Sequence, residues 1–420
     1  MGQLFYNISI HFLLILARVA SLFSKKTSIF FKGRNKLFQN LERAFAKNTS
    51  PVAWFHCASL GEFEQGRPVI EAFRSTFPAY KILLTFFSPS GYEIRKNYEH
   101  ADYVAYIPVD TISNARRFLS IVNPAIVFFI KYEFWVNFIS VIDQRNIPLI
   151  GFSMIFRKGT IFFKKYGGFF RQVLHKFDHL FVQDENSYKL LQGIGVKHAS
   201  VGGDTRFDRV YQICSQPKQI DEAEAMYKEQ AVMVLGSTWP SDMDVLYDTI
   251  NDTTIPLRYI IAPHNINRGE LDHLEHKIKR KTVRFSAASL TRMHEIEVLI
   301  IDNIGMLSSL YQYGSIAYIG GAFRKALHNT LEAATFGLPV LFGDDETNQK
   351  FKEAIALVNQ NGAIALPHQA PQVKEAIVSL IGDKEKMKKM GANAATYVQS
   401  NIGGSQKVIN FSQKILQSSE

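Results

Sequence analysis

Cysteine is almost missing: Cys57 and Cys214 are the only two in 420 residues. Two thiols do not make a disulfide framework, so a reducing compartment is expected. The 12 histidines show no metal-ligand spacing, which directs most of them to surface or core roles. Zinc-finger spacing is absent, and so is any other nucleic-acid signature. No low-complexity tract and no short repeat occurs. A secretory signal is also lacking. It would carry its positive charge before an apolar run and small residues at its end. Here Lys25, Lys26, Lys32, Arg34 and Lys36 follow the run, and Arg18 stands where a small residue is wanted. Tyr6 occupies the place where the myristoylation pattern needs Ser or Thr.

What remains is an ordinary folded composition, 46% hydrophobic and 20% charged, in a chain long enough for two domains. The formal net charge of +10 favours an anionic partner: nucleic acid, acidic lipid or a phosphorylated substrate. Leu4 to Phe23 is mostly apolar, interrupted by Asn7, His11 and Arg18. It is long enough to span a bilayer, which takes roughly 20 apolar residues. Its interruptions equally suit a helix lying in the interface. Either way the basic cluster would face anionic headgroups on the cytoplasmic side. A first helix packed on its own domain is the plainer alternative.

From Val52 onward, short apolar runs alternate with helical stretches. Ala53 to Cys57, Lys81 to Phe86, Tyr103 to Ile107, Ala125 to Ile130, Pro148 to Phe152 and His179 to Val182 read as strands. A second series comprises Val232 to Leu235, Arg258 to Ala262, Val298 to Ile301, Ile316 to Ile319 and Val340 to Phe342. Such alternation predicts parallel sheets covered by helices on both faces. The expected division is a membrane-associating segment over 1–36, a Rossmann-like domain over 37–213, and a linker over 214–224. A second Rossmann-like domain with C-terminal helices follows over 225–420. Two doubly wound halves would face a central cleft, with ligands outside the carboxyl ends of the strands.

The stretch from Ile319 to Gly343 carries most. A strand runs into Gly320 and Gly321, and a helix is expected to open at Asn329 before the strand that starts beyond Gly337. Glycines there allow close backbone approach, and a helix N-terminus suits a phosphate. Asn329 is placed to cap that helix, and Glu332 to close a capping box or to meet a sugar hydroxyl. In the first half, Ser59-Leu60-Gly61-Glu62 follows a strand. Glu62 sits there where a general base belongs, or it merely favours the helix behind it through the dipole. Glu64 is its nearest rival. Polar loops recur at other strand ends: Lys131 to Trp135, Gly202 to Asp208, Gly236 to Trp239 and Asn303 to Met306. That recurrence is harder to explain by packing than any single loop.

Taken together, Ser59 to Glu62, Glu133-Phe134-Trp135, Gly202 to Asp208, and His328 to Glu332 before Gly337-Leu338-Pro339-Val340 resemble the 3-deoxy-D-manno-octulosonic acid (Kdo) transferases. The resemblance implies a GT-B fold of the α/β class. It further implies inverting transfer of Kdo from CMP-Kdo to a lipid A precursor at the cytoplasmic face of the cell inner membrane. Neither a metal nor a cofactor is implied, and the partners are donor, acceptor and an anionic membrane surface. Glu62 matches the family's catalytic base, and Glu133 and Arg206 match positions that support the transition state. Nucleotide contacts are carried onto Ser237, Thr238, His264, Asn265, Ile304, Gly305, Met306, Gly320, Gly321, Asn329, Thr330, Leu331 and Glu332. The chain departs from the family pattern in three places. Asn329-Thr330-Leu331-Glu332-Ala333 lacks both of its prolines. Pro263-His264-Asn265 lacks an arginine. Phe152 to Phe156 lacks another, with Arg157 close behind. Competing readings are a UDP-sugar glycosyltransferase or epimerase on the same fold, and a non-catalytic membrane-bound nucleotide-binding protein.

Overall fold

The computed structural model describes residues 2–324, 326–346 and 350–417. They form two compact units, Met1–Arg209 with Ile402–Glu420, and Val210–Asn401. In the first unit seven strands are β1 (Val52–Cys57), β2 (Lys81–Phe86), β3 (Tyr103–Tyr106), β4 (Ile126–Ile130), β5 (Leu149–Met154), β6 (His179–Val182) and β7 (Ala199–Val201). All pair in parallel, in the order β3-β2-β1-β4-β5-β6-β7. The central strands β1 and β4 are buried along their whole length. Successive residues enter opposite cores, as strand period two requires. Trp54, Val127 and Phe129 pack on one face, and Phe55, Phe128 and Ile130 on the other. Continuous apolar runs are what a sheet covered on both sides needs.

The second unit repeats the plan with β8 (Val232–Thr238), β9 (Arg258–Pro263), β10 (Thr282–Arg284), β11 (Val298–Ile300), β12 (Ile316–Ile319), β13 (Val340–Gly343) and β14 (Ala363–Leu366). Their order is β10-β11-β9-β8-β12-β13-β14, again all parallel. The strand order reverses between β1 and β4 in the first unit and between β8 and β12 in the second. At such a reversal adjacent crossovers leave in opposite directions, and the carboxyl ends of the strands there open a crevice for ligands.

Two expected boundaries are corrected. The C-terminal helices do not stay together. Lys384–Asn401 belongs to the second unit, but Gly404–Gln417 packs on helix Leu60–Thr76 of the first. Asp208 secures it, accepting from Gly403 N at 2.5 Å, Ser405 N at 2.8 Å and Ser405 Oγ at 2.9 Å. Its apolar face then adds Val408 and Ile409 to a core with Phe152 and Phe181. The segment expected as a linker, 214–224, is largely helical at its ends, between helices Arg206–Ser215 and Asp221–Glu229.

At the N-terminus Gly2–Ala20 is one helix of 19 residues with mean hydropathy 1.4, long and apolar enough to cross a bilayer by composition. None of its residues is buried, and Leu4, Phe5, Phe12 and Ile15 stand exposed. Its first turns touch the sheet's carboxyl edge: Tyr6 Oη donates to Asp110 Oδ2 at 2.6 Å, and Asn137 Nδ2 donates to Asn7 Oδ1 at 2.8 Å.

Candidate active site

In the first unit the expected catalytic residues gather where the strand order reverses. The helix after β1 opens at Leu60, so Glu62 lies in its first turn. Ser59 Oγ donates to Glu62 Oε2, and Lys131 Nζ stands 3.9 Å from Oε1. Lys131 ends β4 in the left-handed region at φ 67°, and Ser153 at the end of β5 does the same at φ 51°. Non-glycine residues held this way tend to cluster at functional edges. Glu64, one residue beyond Phe63, is engaged by Arg95 Nη2 at 2.9 Å.

Glu133, in the loop after β4, is only 6% exposed. Its Oε2 accepts from His56 Nε2 at 3.1 Å and from Trp135 Nε1 at 2.5 Å. Arg206 is held by Asp204, Nε at 2.9 Å and Nη2 at 2.8 Å from Oδ2. Asp204 Oδ1 accepts from Gln65 Nε2 at 3.1 Å, which ties Arg206 to the helix that carries Glu62. Gln65 and Asp204 thus join Arg206 to the helix of Glu62, and Glu133 lies two residues beyond Lys131, the ionic neighbour of Glu62. The buried Cys57 thiol at the end of β1 reports the same crowding. Its pKa is pushed well up by burial first and then by Glu62, Glu133 and Glu64.

In the second unit the expected nucleotide residues divide. At the reversal, Gly320 lies so near the loop after β8 that a Cβ would meet Ser237 O at 2.4 Å and Thr238 Cα at 2.6 Å. Gly320 is thus required by loop-to-loop contact, where a ligand had been expected. Gly321 takes φ 94° and donates to Asp242 Oδ2 at 2.9 Å. The same buried carboxylate accepts from Trp239 N at 2.8 Å and Tyr318 Oη at 3.0 Å. Burial raises the Asp242 pKa, against the pull of those hydrogen bonds.

Above this knot three rings stack. Trp239 and His264 lie 4.1 Å apart at 22°, and His264 and His328 4.7 Å apart at 30°. Arg324 covers the Trp239 ring at 5.0 Å. Trp239 Nε1 donates to His328 Nε2 at 3.2 Å, and burial followed by the neighbouring His264 lowers the His328 pKa. Among the described residues, the buried hydroxyls of Thr238 and Thr330 have no partner. Such groups cost about 1–3 kcal/mol each when left unpaired.

The remaining expected contacts are placed differently. The helix opens at Leu331, two residues late, because Asn329 forms a turn of its own. Asn329 Oδ1 accepts from Leu331 N at 3.1 Å and Nδ2 donates to Glu332 Oε1 at 3.0 Å. The Leu331 side chain is buried in the core. Asn265 serves the cap of the next helix, donating to Glu270 Oε1 at 3.0 Å. Ile304 is 88% exposed, Gly305 takes φ 91°, and Met306 precedes a short helix. No hydrogen bond among the described residues ties these three to the ring stack. His56, Asp242 and the stacking role of Trp239 and His328 were missed. A histidine inside the apolar run Val52 to Cys57 was the available signal for the first of these.

Two doubly wound parallel sheets with polar loops at each order reversal define the GT-B class. Solved structures share the fold. UDP-GlcNAc 2-epimerase from Neisseria meningitidis superposes with a TM-score of 0.59 at 16% identity, over 86% of this chain and 100% of that one. Acinetobacter baumannii MurG gives 0.54 at 12%, over 87% and 99%.

Sequence narrows the class further. A family profile described as 3-deoxy-D-manno-octulosonic-acid transferase (kdotransferase) matches residues 34–209. The 3-deoxy-D-manno-octulosonic acid transferase of Rickettsia typhi is 24% identical over 90% of this chain and 82% of that protein. Those of Haemophilus influenzae and Aquifex aeolicus are 23% and 26% identical, over 87% and 73% of this chain and 87% and 81% of theirs. The chain is thus similar to the Kdo transferases, by the family profile over residues 34–209 and by relatives over most of its length.

Proposed function

We propose that the protein transfers Kdo from CMP-Kdo to a lipid A precursor in lipopolysaccharide synthesis, at the cytoplasmic face of the inner membrane. The observation that carries this reading is the meeting of Glu62 and Glu133 at the strand-order reversal of the first unit. Similarity to the Kdo transferases supplies the substrates. In the reaction an acceptor hydroxyl attacks the anomeric carbon of Kdo. Glu62 takes its proton, the new glycosidic C–O bond forms, and the bond from that carbon to the CMP phosphate breaks with inversion. Glu133 and Arg206 support charge in the transition state. The second unit holds CMP at the carboxyl edge of β8, β9 and β12. There the stacked Trp239 and His264, the Arg324 cation and the unpaired Thr238 and Thr330 hydroxyls supply stacking, charge and hydrogen bonds. The exposed N-terminal helix followed by basic residues supports attachment to an anionic surface. Mass spectrometry of the products from purified protein, CMP-Kdo and acceptor lipid tests the proposal. An acceptor without added Kdo mass overturns it.

A further inference from the structure

A chain of hydrogen bonds runs through the core of the first unit and ends on Glu133. Trp54 Nε1 is 2.8 Å from Thr85 Oγ1, and an indole nitrogen only donates. The Thr85 hydroxyl must therefore accept there, which frees its own hydrogen. His56 Nδ1 is 2.8 Å from that oxygen, closer than the alternative acceptor Phe55 O at 3.4 Å. Nδ1 also lies 3.2 Å from Thr85 O, so Thr85 holds that nitrogen whether it donates or accepts, and because the Glu133 carboxylate only accepts, a proton sits on Nε2, 3.1 Å from Oε2. Trp54, His56 and Thr85 are fully buried, so no water competes for these bonds. Trp135 Nε1 supplies the second donor to the same carboxylate oxygen. Among the described residues, Glu133 Oε1 has no hydrogen-bond partner.

We infer that His56 is a positioning residue for Glu133. Its ring is held by Thr85, which is itself bonded by Trp54; it pins one carboxylate oxygen and turns the other toward the reacting groups. This rests on the reading of Glu133 as a group that acts in the transition state. A carboxylate held by two N–H donors from different elements cannot rotate about its terminal bond without breaking both. Loss of the His56 bond leaves Trp135 alone, and the free oxygen then swings. Displacement of about 1 Å costs on the order of 10²-fold in rate.

The side-chain amide of glutamine reaches the place of the histidine Nε2, whereas that of asparagine reaches only Nδ1. His56→Gln should keep kcat within about tenfold of the natural enzyme. His56→Asn should lose on the order of 10²-fold in kcat. In both, the KM for CMP-Kdo should stay within about twofold, because the nucleotide segments lie in the other unit. A purely structural role would predict similar losses for the two variants. In the double variant with Glu133→Ala, His56→Asn should add almost nothing, since it acts through that carboxylate. Thr85→Val, which removes only the hydroxyl, gives a second reading if His56→Asn does not fold, and should also lower kcat alone. Equal rates in His56→Asn and the natural enzyme, with Glu133→Ala crippled, overturn the role of His56 and leave the Glu133 reading standing. Equal rates in Thr85→Val overturn the part of the Thr85 hydroxyl in holding the ring. Full activity in Glu133→Ala overturns both readings together.

Discussion

Replacing Glu62 by glutamine separates chemistry from architecture. The Glu62 carboxylate has the Ser59 hydroxyl and, 3.9 Å away, Lys131 Nζ as partners, and its side chain is 17% exposed. Glutamine keeps an acceptor for Ser59 and gives up the ion pair. A pair at that distance, open to solvent on the lysine side, contributes about 0–1 kcal/mol. The melting temperature should thus move by no more than about 2–4 °C. Loss of a general base costs about 10²–10⁴-fold in rate, equivalent to about 2.7–5.4 kcal/mol of barrier. The chemical effect exceeds the structural one several-fold, and the two are measured on the same preparation. Initial rates of CMP release from CMP-Kdo with acceptor lipid give the first, thermal unfolding gives the second, and CMP binding serves as a control. Glu64→Gln removes a carboxylate that already pairs with Arg95 at 2.9 Å, and should be much milder. A folded Glu62→Gln protein with undiminished turnover refutes Glu62 as the base.

Glu332→Ala should weaken CMP binding measured by calorimetry, and unchanged affinity in a folded variant counts against nucleotide binding at the start of helix Leu331–Thr335. Deleting the residues before Lys32 should release the protein from membranes in sedimentation, and equal sedimentation removes the anchor assignment. His179 is pulled down to about 4, first by burial and then by His198. The unfolded chain takes up that proton near about pH 6.5, so it binds more protons than the folded chain between those values. Stability contributed by neutral His179 is therefore full above that window and is lost as pH falls through it. Its partial exposure reduces the effect to about 1–2 kcal/mol. His179→Gln, which keeps a partner for Ser200 Oγ, should flatten the fall in melting temperature from about pH 7 to 5. An unaltered slope contradicts the assignment.

The interior strands were legible because burial on both faces writes itself as continuous apolar sequence. β7, β10 and β14 were not, since each is an edge strand of three or four residues, half-exposed in part, and too short for a pattern even where it is apolar, as in Ala363–Leu366. The outer helix 404–417 was legible as a helix. Which sheet it would cover was not, because periodicity marks an apolar face without naming its partner. Asp208 held the clue, yet its hydrogen bonds reach residues 403 and 405 far along the chain. The site shows a similar split. Glu62, Glu133 and Arg206 stand in recognisable motifs, and Gln65 and Asp204 join Arg206 to the helix of Glu62. His56 hides in a strand where a single polar residue reads as core. Gly320 was read as a place for ligand approach, while its crowding by Ser237 and Thr238 depends on a neighbouring strand that no local pattern reveals.

The clip between Asp208 and the last helix also sets an order of events during synthesis. Asp208 and Gly403 are 195 residues apart, and all of the second unit lies between them. At about 5–20 residues per second, roughly 10–40 s separate their translation. The second unit can close as soon as its own residues have emerged. The first, although begun earlier, must wait for the final helix before Phe152 and Phe181 are covered by Val408 and Ile409. For that interval the nascent chain carries an uncovered apolar face on the very unit that holds Glu62. A ribosome that stops short of residue 404 would release a protein with a finished second unit and an unfinished, aggregation-prone first one.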